Sequence, residues 1–134
     1  MLTRAGSVLA IAAGLVLVSS CGDGDGGDQA SFCDAVEALA ANDPFAELAV
    51  ASPQEMRTAF DQLRDGAERI EDSAPDEFDT QADRYLRSVD GLIDQLRGAG
   101  YDPRALDTLD YREATSEYEA AAISVENAAA GACT

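Results

Sequence analysis

Few of the side chains that usually carry catalysis occur in this chain. It has no His, so no Ser–His or Cys–His pair can activate a nucleophile. All nine basic residues are Arg; without Lys there is neither a Schiff base nor a phosphate-loop lysine. Carboxylates and thiols remain. The 26 Asp and Glu residues leave a glycosidase-like pair open on residue type, but such a pair needs a shaped cleft and one acid of raised pKa. Most of these residues fall on the outward faces of helical patterns, which provide neither. Asp23, Asp25 and Asp28 are spaced like the start of a calcium loop. The EF-hand pattern, however, wants an acidic or amide residue where Gly27 stands, Gly where Asp28 stands, and a closing Glu that is missing. No metal and no cofactor is expected.

The thiols are Cys21, Cys33 and Cys133. Cys21 closes a zoned N-terminal segment. Residues 1–4 carry the terminal amine and Arg4, and residues 5–18 are apolar or small with only Ser7 mildly polar. That run is shorter than the ~20 residues of a spanning helix and fits the apolar region of a cleaved signal. Val18-Ser19-Ser20-Cys21 then resembles the lipobox of bacterial lipoproteins. The resemblance implies that the Cys21 thiol receives a diacylglyceryl group, that a peptidase removes residues 1–20, and that Cys21 becomes an acylated N-terminus, palmitate being a typical chain. Each buried methylene of such chains contributes about 0.8 kcal/mol to anchoring. The expected location is the outer face of the cytoplasmic membrane. With its Arg, Ala and Gly bias, the domain resembles small helical lipoproteins of actinobacterial type.

Residues 21–30 read as a flexible acidic Gly/Asp tether, the Gly-rich part reaching about 15–18 Å, and residues 31–134 as one domain. Cleavage would remove a single charge, Arg4, leaving the mature chain one unit more negative than the −17 of the whole sequence. So acidic a surface repels nucleic acid and anionic head groups, and neither is expected as an electrostatic partner.

Helical spacing dominates the domain. A first helix is expected from Ser31 as N-cap, with Asp34 completing an acidic capping box; Phe32, Val36 and Leu39 face inward. Asn42-Asp43-Pro44 stops it, and a short turn with Phe45 and Leu48 inward makes this first element a broken one. Ser52-Pro53-Gln54-Glu55 combines N-cap, Pro at the first helical position and Glu at the third. Its helix carries Met56, Phe60, Leu63, Ala67 and Ile70 as a seam, with Arg57/Asp61, Arg64/Glu68 and Asp65/Arg69 as outer pairs. A third helix over 75–97 presents Phe78, Ala82, Tyr85, Val89, Leu92 and Leu96, ending at Gly98-Ala99-Gly100. A turn at Asp102-Pro103 has Leu106 and Leu109 as anchors. A last helix over 111–130 turns Tyr111, Ala114, Tyr118, Ala122, Val125 and Ala129 inward. The expected fold is all-α: an up-down four-helix bundle with a broken first helix.

With Cys21 assigned to lipid by the resemblance, Cys33 and Cys133 remain to pair. An antiparallel bundle of four elements starts and finishes at the same end, where a bridge needs Cα atoms within about 7 Å. Closing a loop of about 100 residues stabilises by up to about 4.7 kcal/mol on entropic grounds.

Three functional classes stay open. The first is a non-catalytic interaction or accessory module, meeting an exported or membrane protein through an exposed helix face or the Ala-rich last helix. The second is a carrier holding a small apolar ligand between helices, with Phe60, Phe78, Tyr85, Tyr111 and Tyr118 lining the pocket. The third and weakest is a carboxylate-based hydrolase. Oligomeric state is open.

Overall fold

A computed structural model describes residues 27–42, 45–46 and 50–133. Cys21 and its lipobox, the tether through Gly26, and Leu48 lie outside the described residues. Four helices run up and down: α1 (Gln29–Ala41), α2 (Pro53–Ser73), α3 (Asp79–Gly98) and α4 (Thr108–Ala132). Single 3-10 turns, Asp76–Phe78 and Pro103–Ala105, precede α3 and α4. Each helix packs on the next, and α4 packs back on α1, closing a four-membered ring. No strand occurs among the described residues.

The helix starts follow local chemistry. At α2 the capping box forms in full: the Glu55 N–H donates to Ser52 Oγ at 3.2 Å and the Ser52 N–H to Glu55 Oε2 at 2.7 Å. These bonds satisfy backbone donors that have no partner within the helix. At α1 the expectation of a Ser31 cap is corrected. Asp28 is the N-cap, its Oδ1 accepting from the Ala30 N–H at 3.2 Å. The Ser31 hydroxyl donates to Asp28 Oδ2 at 2.7 Å. Asp caps as well as Ser, and the earlier start adds the Phe32 N–H to Asp28 carbonyl bond of 2.9 Å. Gln29 and Ala30, expected in the tether, are therefore helical. Gly27 lies against the Ser73 and Ala74 carbonyls so closely that any Cβ there would overlap them.

The last helix also begins earlier than its pattern suggested. Asp107 caps it, Oδ1 accepting from the Leu109 and Asp110 N–H groups at 3.0 and 3.2 Å. This winds Leu109 into the first turn on the outer face, where it is 73% exposed; the expectation of an inward anchor at Leu109 is corrected. Ala121 is fully buried and the expected Ala122 only half-buried. Before α3, the residues expected in one helix from 75 instead form the 3-10 turn, with the Phe78 N–H bonded to the Pro75 carbonyl at 2.7 Å.

The core is the expected one in outline. Met56, Phe60, Leu63, Ala67 and Ile70 of α2 are all buried, and so are Ala82, Tyr85, Val89, Leu92, Ile93 and Leu96 of α3. Phe45 reaches the core beyond the break after α1, its ring 5.6 Å from Phe60 and 5.4 Å from Tyr118. One aromatic core residue escaped the pattern. Tyr101 is buried beyond the end of α3, with Arg57 over its ring at 5.1 Å. Gly100 and Tyr101 both have left-handed backbone (φ 62° and 58°), which lets the Tyr101 N–H reach the Leu96 carbonyl at 2.8 Å. A non-glycine residue there costs about 1–2 kcal/mol, offset by burial of the ring.

The start of α1 and the end of α4 meet as required. Cys33 and Cys133 form a disulfide with Cα atoms 5.7 Å apart. Beside it, Gln29 Nε2 donates to the Ala132 carbonyl. Equilibrium unfolding of Cys33→Ser, Cys133→Ser and the double variant should give equal losses, about 2–5 kcal/mol each. Unequal losses would mean that the single thiols act through packing. On the same scale Phe60→Ala should cost about 3–5 kcal/mol and Leu109→Ala less than about 0.5 kcal/mol.

Candidate functional site

The five aromatic residues expected to line a pocket do not come together. Phe60, Tyr85 and Tyr118 are buried in the middle of the bundle, the Tyr85 and Tyr118 rings 5.8 Å apart with Phe45 against Tyr118. Phe78 lies elsewhere, stacked on Phe32 at 5.7 Å and 16°. Tyr111 is half-buried in the first turn of α4. The Tyr85 and Tyr118 rings touch directly and Phe60 joins them through Phe45, at separations typical of packed aromatics.

Within this core, the Tyr85 hydroxyl makes no hydrogen bond of good geometry among the described residues. Burial, and secondarily the neighbouring Tyr118, push its pKa well above the ordinary value of 10.0. Tyr111 is shifted upward as well: burial is the larger effect, and a side-chain hydrogen bond with Thr115 opposes it in part. Neither group is poised to exchange protons near neutrality. The carboxylates with shifted acidity move the other way. Asp28 is held below its usual range by the Ser31 hydroxyl and the Ala30 N–H, and Glu55 by the Ser52 N–H and hydroxyl. A general acid needs the opposite shift. Asp28 also spends its lone pairs on the helix start, and among the described residues no cluster of three potential metal ligands occurs; Asp23 and Asp25 lie outside them.

Among the described residues, a groove lies between α1 and α2, partly open to solvent, with a volume of about 1130 Å3. Ala35, Ala38 and Leu39 form its α1 side, and Ala59, Leu63 and Gly66 its α2 side. Toward the disulfide end it is bordered by Asp28, Asp34 and Asp72, with Arg69 the cation among its described lining residues. Leu63 is buried and Leu39 half-buried, so the bottom of the groove is continuous with the core. None of the five aromatic residues singled out from the sequence lines it. The available signal was small residues at helical spacing on the flank of each inner seam, Ala35/Ala38 and Ala59/Gly66. Only the relative rotation of two helices reveals that these flanks face each other.

Burial of the Tyr85 hydroxyl sets an alkaline limit. Its folded pKa lies above the unfolded 10.0, so its contribution to stability is complete below that value and is lost as pH rises beyond it. Unfolding midpoints measured from about pH 8 to about pH 11.5 should therefore fall above about pH 10, and Tyr85→Phe should reduce that fall. An unchanged alkaline slope in Tyr85→Phe would assign it to other groups.

Compared with known protein families, with characterised proteins and with solved structures, the chain shows no significant similarity to any of them.

Proposed function

We propose that this chain is the precursor of an extracytoplasmic lipoprotein, lipid-anchored through Cys21 at the outer face of the cytoplasmic membrane, whose helical domain is a non-catalytic interaction or accessory module. The Cys33–Cys133 disulfide carries the reading. Such cross-links persist in oxidising compartments outside the cytoplasm. The pairing leaves Cys21 as the odd thiol, within the Val18-Ser19-Ser20-Cys21 sequence that resembles a lipobox. On this reading the domain stands close to its anchor. Gly27 follows Cys21 by six positions and is held against the end of α2, so the connection spans at most about 22 Å. The disulfide end then faces the membrane, with Asp28, Asp72, Asp76 and Glu77 exposed there to resist contact with anionic lipid.

A carrier of a small apolar ligand is the second reading. What favours it is the size of the α1/α2 groove, beyond the ~300 Å3 lower range of ligand sites; the Phe60–Tyr85–Tyr118 cluster does not. A rise in melting temperature with apolar ligands would support it.

Mass spectrometry of the N-terminal peptide from native membranes tests the first reading. The expected peptide begins at Cys21 and carries a diacylglyceryl modification. An unmodified Cys21, or retention of residues 1–20, would overturn it.

A further inference from the structure

The α1/α2 groove has a shape and a charge that specify an occupant. We infer that it is the docking site for a cationic amphipathic helix of a partner protein, lying along α2 from Ala59 toward Ser73. This deepens the interaction-module reading and rests on it.

Length comes first. Ala59 and Ser73 both line the groove, and the helix between them rises about 21 Å, enough for about four turns of a docked helix. Depth comes second. Ala35, Ala38, Ala59 and Gly66 keep both walls low, so an incoming helix can approach closely and set its apolar side chains on Leu39 and Leu63. Gly66 sharpens this point. It stands inside α2, where Gly costs about 1 kcal/mol relative to Ala, yet a Cβ placed there meets nothing within 4 Å among the described residues. Packing among the described residues therefore does not require glycine at 66, whereas the missing side chain would let a second backbone laid in the groove approach closely. Gly91 of α3 has the same open space but sits on an exposed face outside the groove, which makes it an internal control.

Charge selects among occupants. Asp28, Asp34 and Asp72 against Arg69 leave the border of the groove acidic, in a chain of net charge −17. A second copy of this chain would bring like charge to that border, which opposes association. A helix with Arg or Lys flanking its apolar stripe would complement it, laying its apolar face in the groove in the usual helix-in-groove manner.

Photo-crosslinking in the cells that make the protein tests the assignment, using the full chain with a benzophenone side chain at Gln62 in the groove or, as control, at Gly91. The partner peptide joined at position 62 should be rich in Arg or Lys, have apolar residues at steps of three and four, and be absent at position 91. Gly66→Leu should reduce its yield by about tenfold, equivalent to roughly 1.4 kcal/mol. Asp72→Arg should reduce it more strongly at low than at high salt, and Gly91→Leu should leave it unchanged. Thermal melts of Gly66→Leu and Gly91→Leu check that both variants fold. The same peptides at both positions, an acidic or non-periodic peptide, products only with lipid or with a second copy, no product, or equal loss in Gly66→Leu and Gly91→Leu would each overturn the assignment. An unmodified Cys21 with the expected crosslink would overturn the anchoring alone; a lipidated Cys21 without it would overturn the groove assignment alone.

Discussion

The covalent closure of the ring between α1 and α4 is the constraint on which the rest of this structure depends. Helix α1 has 13 residues and buries only Phe32 and Val36 fully, and an isolated helix of that length is marginal in water. The Cys33–Cys133 bridge fixes its first turns to the end of α4, and the Gln29–Ala132 hydrogen bond lies beside it. Gly27 rests on the end of α2, and Phe32 stacks on Phe78 just before α3. Parts of all four helices thus converge at one end of the bundle around a single cross-link. Helices α2, α3 and α4 bring longer buried seams of their own, so the cross-link matters most for the element least able to hold itself.

The groove follows from the same asymmetry. Helix α1 presents a narrow apolar stripe to its neighbours, and the residues beside that stripe are mostly alanine. Where they meet Ala59 and Gly66 of α2, two small-residue flanks cannot fill the space between adjacent helical cylinders, and a channel remains. Elsewhere the ring is filled by large side chains, Phe60, Tyr85, Leu92 and Leu96 among them, which are fully buried or nearly so. Concavity therefore appears where the side chains are smallest, away from the aromatic residues.

Electrostatics shapes the surface more than it holds the fold. The ion pair from α2 to α3 joins Arg64 and Asp90 at 2.8 Å, with both side chains nearly half-exposed, a setting in which such pairs contribute at most about 1 kcal/mol. Asp28, Asp102 and Asp107 act locally, each accepting backbone N–H bonds where a helix or turn begins. The remaining acidic excess lies outward, giving the domain a strong repulsive field toward anions and an attractive one toward cationic partners.

The class and parity of this fold were legible in the order of amino acids alone. Three- and four-residue spacing marked the inner seams of α2 and α3 residue by residue, because a helix of 3.6 residues per turn buries one fixed stripe whatever it packs against. The capping box at Ser52 was legible because its bonds join residues three apart. The disulfide followed once Cys21 was set aside, since an even number of antiparallel helices returns the chain to its starting end. Helix ends were less legible: Asp28 and Ser31 are both residue types that cap, and the apolar spacing of the last helix does not point to its cap at Asp107. Tyr101 was hidden because its burial depends on left-handed backbone at two consecutive residues, which no periodicity encodes. The groove was out of reach for a related reason. Its walls belong to separate helices, and whether Ala35 and Ala38 face Ala59 and Gly66 depends on how the helices are rotated against each other. That rotation is set by packing of the whole ring, and no single segment contains it.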